Sequence, residues 1–133
     1  MENDDLILFE DQSEYKRVNL EKRLILFALQ IDDLCAKIHN TRLGNYISDN
    51  MVRSSASSAF NYGKAQSAES KKDFIHKMKV CLKELRECFV GLKFIKYGSF
   101  KTDKEIAIKL YQENNELISI FVRSIQTARG NNR

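Results

Sequence analysis

The chain has no proline and only five glycines among its 133 residues. Proline breaks a helix by removing a backbone donor and crowding the preceding turn, so its absence leaves long helices unobstructed. The Val/Thr/Tyr alternation that marks strands is missing as well. Cys35, Cys81 and Cys88 form no CxxC pair. An odd thiol count without metal spacing points to reduced cysteines and a cytoplasmic location. No apolar run approaches the length that spans a bilayer, so no membrane role is expected. The N-terminal MENDDLILFEDQ is acidic, whereas a secretory signal needs a basic start and a longer apolar run. There is no Gly-rich phosphate loop, nucleophile elbow or zinc motif. The histidines are only His39 and His76. A di-metal bundle site needs Glu-x-x-His on two helices, and Asp73-Phe74-Ile75-His76 is a single degenerate copy. No catalytic residue, metal or cofactor is expected.

What the chain does contain is charge and apolar periodicity. Its net charge of +4 conceals an asymmetry. Residues 1–14 hold six acids (Glu2, Asp4, Asp5, Glu10, Asp11, Glu14) and no Lys or Arg, so the remainder sets 22 basic residues against 12 acidic ones, a net +10. A basic body with an acidic lead suggests a polyanionic partner, or a lead that masks the basic surface. A solubilising excess of charge is the plainer alternative. Within the lead, Leu6-Ile7-Leu8-Phe9 is apolar enough to dock on the body or on a neighbouring subunit.

The pattern predicts a flexible lead over 1–14, one helical domain over 15–129 and a flexible tail over 130–133. The first helix is expected from Tyr15 to His39, capped by Ser13. Leu20, Leu24, Phe27, Ile31, Leu34 and Ile38 recur at alternating steps of 4 and 3, a single seam on a helix. Asn40 to Gly44 reads as a turn, because Asn and Gly accept left-handed backbone angles. The second helix, Asn45 to Ala65, is thinly apolar and contains Ser54-Ser55-Ala56-Ser57-Ser58-Ala59. Serine competes for the backbone, so tertiary contacts must hold this helix. Its small side chains suit either a close helix crossing or a smooth surface for RNA or a partner chain. Gly63 to Glu69 is read as a loop or frayed end. Ser70, with Asp73 three residues on, caps a third helix running to Ile95. Phe74, Met78, Cys81, Leu85, Cys88, Leu92 and Ile95 form its stripe, and Ile75, Leu82 and Phe89 widen it. A stripe that wide can serve both a core and a subunit interface. Thr102 and Glu105 match S/T-x-x-E and are expected to open the fourth helix, which runs to Thr127. Ile106, Leu110, Leu117, Phe121 and Ile125 form its face. Four helices joined by short turns predict an all-α, antiparallel, up-down-up-down four-helix bundle.

One polar pattern is as regular as the apolar ones. Lys72, His76, Lys79, Lys83 and Arg86 step 4, 3, 4, 3 along the third helix. Lys72 precedes Phe74 by two residues, about 200° around the helix, so the row lies opposite the core stripe. Lys71 and Lys77 flank it, and Lys64 and Arg53 approach from the second helix. Cations at this spacing can follow a phosphate backbone. The alternative is a solvated face laced with ion pairs to Glu69, Asp73, Glu84 and Glu87. No aromatic interleaves the row, which leaves base stacking without support.

Arg53-Ser54-Ser55-Ala56-Ser57-Ser58-Ala59, Asn61-Tyr62, Ala65, Ser70 to Lys77 and Lys83-Glu84-Leu85-Arg86-Glu87 together resemble a bacterial four-helix bundle family. Its founding members are encoded in intervening sequences of 23S rRNA genes. The resemblance covers about Leu24 to Val122. It implies a bundle that commonly assembles as a homopentamer. A relative of the family, the accessory variability determinant of diversity-generating retroelements, is a basic pentamer that binds nucleic acid and works with a reverse transcriptase. Two positions depart from the pattern. Lys64 stands where Glu is frequent, and Gly91 stands where an aromatic, commonly Trp, is found.

Two functions are compatible with this reading. One is a non-enzymatic, homo-oligomeric nucleic-acid binder that acts on structured RNA or DNA, or beside a reverse transcriptase or ribosome-related component. Arg53, Lys64, Lys71, Lys72, Lys79, Lys83 and Arg86 would then meet phosphates. The other is a structural or adaptor module whose apolar stripes bind protein and whose basic row is only surface.

Overall fold

Each of these apolar stripes needs a partner, and in the computed structural model four of them close on one another. The structure describes residues 12–130, with side chains from residue 19 onward. Its helices are α1 (Gln12–Ala36), α2 (Arg42–Gln66), α3 (Lys71–Tyr97) and α4 (Lys104–Arg129). No strand occurs among the described residues. Helix α2 packs most extensively on α3, then α3 on α4 and α1 on α2, and a lighter α1–α4 contact closes the ring. The connections 37–41, 67–70 and 98–103 are short, which forces the antiparallel up-down-up-down order. The first and third of them are tied together at one end of the bundle. The His39 N–H donates to the Lys101 carbonyl at 3.0 Å, the Thr102 hydroxyl donates to the Leu34 carbonyl at 3.4 Å, and Lys37 lies 3.9 Å from Asp103.

Helix boundaries differ from the expected ones for identifiable reasons. Helix α1 already includes Gln12 to Glu14, so Ser13 lies inside the helix and does not cap it. The rest of the expected acidic lead, residues 1–11, and residues 131–133 of the expected tail lie outside the described residues. Thr41 accepts the Gly44 N–H at 3.0 Å, which makes Arg42 to Gly44 the first turn of α2 and not part of a loop. Helix α2 then continues through Gly63 to Gln66. Ser70 caps α3 as expected, accepting the Asp73 N–H at 3.0 Å, but Asp73 answers to the Glu69 N–H at 3.2 Å and not to that of Ser70. The Thr102–Glu105 box does not form. Asp103 accepts the Ile106 N–H at 3.2 Å in its place, because the Thr102 hydroxyl is spent on α1. Asp caps a helix at least as well as Thr.

The core follows the seams. Leu24, Phe27, Ile31 and Leu34 of α1 meet Met78, Cys81, Leu85, Cys88, Leu92 and Ile95 of α3, and Leu110, Leu117, Phe121 and Ile125 of α4. Tyr62 of α2 sets its ring edge-on to Phe121 at 5.8 Å. Phe74 and Ile106 are only partly buried, and Ala107 takes the core position beside Ile106.

The serine run is a packing surface. Ser54, Ser55 and Ser58 are fully buried. Their hydroxyls donate to the carbonyls three residues back, those of Met51, Val52 and Ser55, at 3.4, 3.2 and 2.7 Å. Each polar group is thus satisfied within its own helix, and the small outer surface lets α2 lie close to α3. Nearby, Gly91 faces Met51. A Cβ at position 91 would overlap Met51 Cγ and lie 2.6 Å from its sulfur. Met51 of α2 therefore occupies the volume that a side chain at position 91 would need.

All three thiols are buried and free. Desolvation pushes Cys81 and Cys88 up to about 12 and Cys35 up to about 11. Only the thiolate reacts with disulfide reagents. At pH 8 the native protein should therefore leave Cys81 and Cys88 unmodified by a thiol reagent, with Cys35, the least buried of the three, reacting first. All three should react at once in denaturant. Prompt titration of three thiols without denaturant would contradict the packing described here.

Candidate nucleic-acid interface

A helix capped at Ser70 and buried along Met78, Cys81, Leu85 and Cys88 has no freedom left in how its opposite face points. That face carries the basic row. Lys72, His76, Lys79, Lys83 and Arg86 are all exposed, along about 21 Å of helix at 1.5 Å per residue. At the start of α3, Lys71, Lys72, His76 and Lys79 surround Ile75 in an open depression of about 550 Å³. Exposed Lys64 stands in the last turn of α2, at the same end of the bundle as Lys71 and Lys72. Among the described residues no ion pair holds Lys64, Lys71, Lys72, Lys79, Lys83 or Arg86.

Arg53 is placed differently. Its guanidinium donates to Glu84 at 3.3 Å and to Glu87, and the bond to Glu87 raises its pKa. Ser57 also donates to Glu84, at 3.3 Å. Arg53 is thus occupied by the two carboxylates that alternate with Lys83 and Arg86 along α3. Lys77 is likewise matched by Asp73 at 2.6 Å. That bond, followed by the one from the Glu69 N–H, lowers the Asp73 pKa. Three acids beside the row, Asp73, Glu84 and Glu87, are thereby engaged by cations outside it.

Three features went unread in the sequence. First, Asn114 is fully buried in the α4 seam. With its amide oriented to satisfy both neighbours, Nδ2 donates to the Leu85 carbonyl at 3.1 Å and Oδ1 accepts the Phe89 N–H at 3.2 Å. Its position midway in the seven-residue gap between Leu110 and Leu117 was the available signal. Second, Arg23 of α1 donates to Glu113 at 2.8 Å and to Glu116 at 3.0 Å across the α1–α4 seam. Third, a groove of about 750 Å³ opens at the tied end of the bundle. Leu43, Val90, Phe94, Tyr97 and Phe100 line it, with Lys93, Lys101 and His39 at its edge and no Asp or Glu. Val90, Phe94 and Tyr97 step 4 and 3, a second short seam beside the core stripe.

Among the described residues no three His, Cys, Asp or Glu side chains gather in a way that would hold a metal ion. No described helix is long and apolar enough to cross a membrane.

No protein-family profile and no curated protein sequence matches the chain. A crystal structure from Bacteroides thetaiotaomicron does. It is described as a protein of unknown function from the S23 ribosomal protein family, and it is 24% identical, with a TM-score of 0.69, over 80% of this chain and 98% of its own. That likeness shows a shared four-helix architecture.

Proposed function

We propose that this chain is a non-enzymatic, self-associating bundle that binds nucleic acid through the outer face of α3. Lys72, Lys79, Lys83 and Arg86 contact phosphates, and Lys64 and Lys71 extend the contact at the helix start. Arg53 acts from behind, holding Glu84 and Glu87 so that they do not quench Lys83 and Arg86. The observation that carries the reading is the exposed row of cations, none in an ion pair among the described residues, on a face with a fixed direction. The ribosomal family named for the structural neighbour favours structured RNA. The finer resemblance, to intervening-sequence proteins and retroelement accessory proteins, adds service beside a nucleic-acid enzyme such as a reverse transcriptase. A homopentamer belongs to the same proposal, and exposed Ile25, Leu26 and Leu29 on α1 are apolar surface for it to cover.

The four contacts of the α3 row alone imply that affinity for a mixed RNA falls at least about 50-fold when salt is raised about fourfold. The triple charge reversal K79E/K83E/R86E should weaken binding at least about tenfold and flatten that salt dependence. Binding that is absent at low salt, or unchanged by the triple reversal, would falsify this assignment. The apolar end groove would then favour the structural or adaptor reading.

A further inference from the structure

The end groove is chemically specific. Its floor is Leu43, Val90, Phe94 and Phe100, its edge is Lys93 and Lys101, and it has no acidic residue. Val90 is 51% exposed, Phe94 45% and Leu43 48%. A fitting occupant is a short apolar segment flanked by acids on both sides. The chain itself contains one, Asp4-Asp5-Leu6-Ile7-Leu8-Phe9-Glu10-Asp11, with no basic residue in residues 1–14.

Geometry decides which copy supplies that segment. Gln12 begins α1, and the groove lies beyond the far end of this 25-residue helix, against Thr41 and Leu43. The helix is about 37 Å long. Phe9 is three residues from Gln12 and Leu6 is six, a reach of at most about 21 Å for a fully extended chain. Leu6 to Phe9 therefore fall short of the groove in their own molecule.

We propose that the end groove receives the Leu6–Phe9 segment of a second copy, with Asp4, Asp5, Glu10 and Asp11 set against Lys93 and Lys101. The joint is heterologous, since one surface of a protomer meets a different surface of its neighbour. Such contacts close into rings when the rotation between copies permits. The joint rests on the self-association proposed above and not on the nucleic-acid reading.

Two full-length variants test it by light scattering at matched concentration. L8S/F9S removes the apolar segment. V90E/K101E spoils the groove at exposed positions, so folding, checked by circular dichroism, should be unaffected. Each variant alone should fall to the mass of a monomer. Mixed, they should form a one-to-one heterodimer, because one still has its groove and the other its segment. An oligomer whose mass neither variant alters overturns the joint and leaves self-association standing. A wild-type monomer overturns both. Groove variants that keep their mass but lose RNA binding also overturn the joint and make the groove part of the nucleic-acid surface.

Discussion

Asn114→Ala should lower the stability of the bundle by about 2–3 kcal/mol. Two hydrogen bonds of roughly 1 kcal/mol each disappear, and a small cavity opens in a close-packed seam. For a domain of this size the melting temperature should fall by about 10 °C. The side chain is fully buried between Leu110 and Leu117. The groups it engages, the Leu85 carbonyl and the Phe89 N–H, are the i and i+4 partners of one turn of α3. An amide that spans one particular turn fixes the register of α4 on α3, as a single buried Asn does in coiled coils. Asn114→Leu separates register from stability. An apolar residue of similar volume should hold the stability within about 1 kcal/mol of wild type while loosening the α3–α4 alignment, visible as broadened amide resonances along α4. Thermal melts of both variants decide the matter, and an Asn114→Ala protein that melts with the wild type sinks the assignment.

Gly91→Leu should cost more, about 3 kcal/mol or above, since overpacking a filled site forces side chains off their rotamers and shifts backbone. The occupied volume belongs to Met51, whose Cγ and sulfur stand where a Cβ at position 91 would go. Gly91→Ala sets the same clash against about 1 kcal/mol of helix propensity gained, so its net effect is smaller. Met51→Ala alone should cost about 2–5 kcal/mol through the cavity it leaves. The decisive experiment is the double variant. If volume is exchanged across the α2–α3 contact, M51A/G91L should be more stable than the sum of the single losses predicts by about 2 kcal/mol. Strict additivity in urea melts would show that Met51 is not what excludes a side chain at position 91.

The sequence revealed the seams most fully where burial is apolar and regular. Leu24, Phe27, Ile31 and Leu34 sit in the core as their spacing requires. So do Met78, Cys81, Leu85, Cys88, Leu92 and Ile95, and the basic row follows from the same helical period. The α2 contribution was ambiguous because serine at a core position looks like surface. Only the hydrogen bonds to its own helix, such as Ser58 to the Ser55 carbonyl at 2.7 Å, show how its polarity is buried. Asn114 is hidden for the same reason, a polar type standing in phase with apolar neighbours. The pattern points to Thr102 as the cap of α4, and Asp103 takes that place because the Leu34 carbonyl, 68 residues away, engages the Thr102 hydroxyl. Nothing local to Arg53 reveals that Glu84 and Glu87, 31 and 34 residues on, reach it from the neighbouring helix.

The seating of Met51 against Gly91 also orders the mutational routes open to this chain. A large residue at position 91 is accessible only after position 51 has shrunk, since the opposite order passes through an overfilled bundle. An aromatic at 91 and a methionine at 51 are therefore alternative solutions to one volume. A lineage that moves between them must first accept a loosened interior, so slack stability elsewhere in the bundle sets whether the exchange can happen at all.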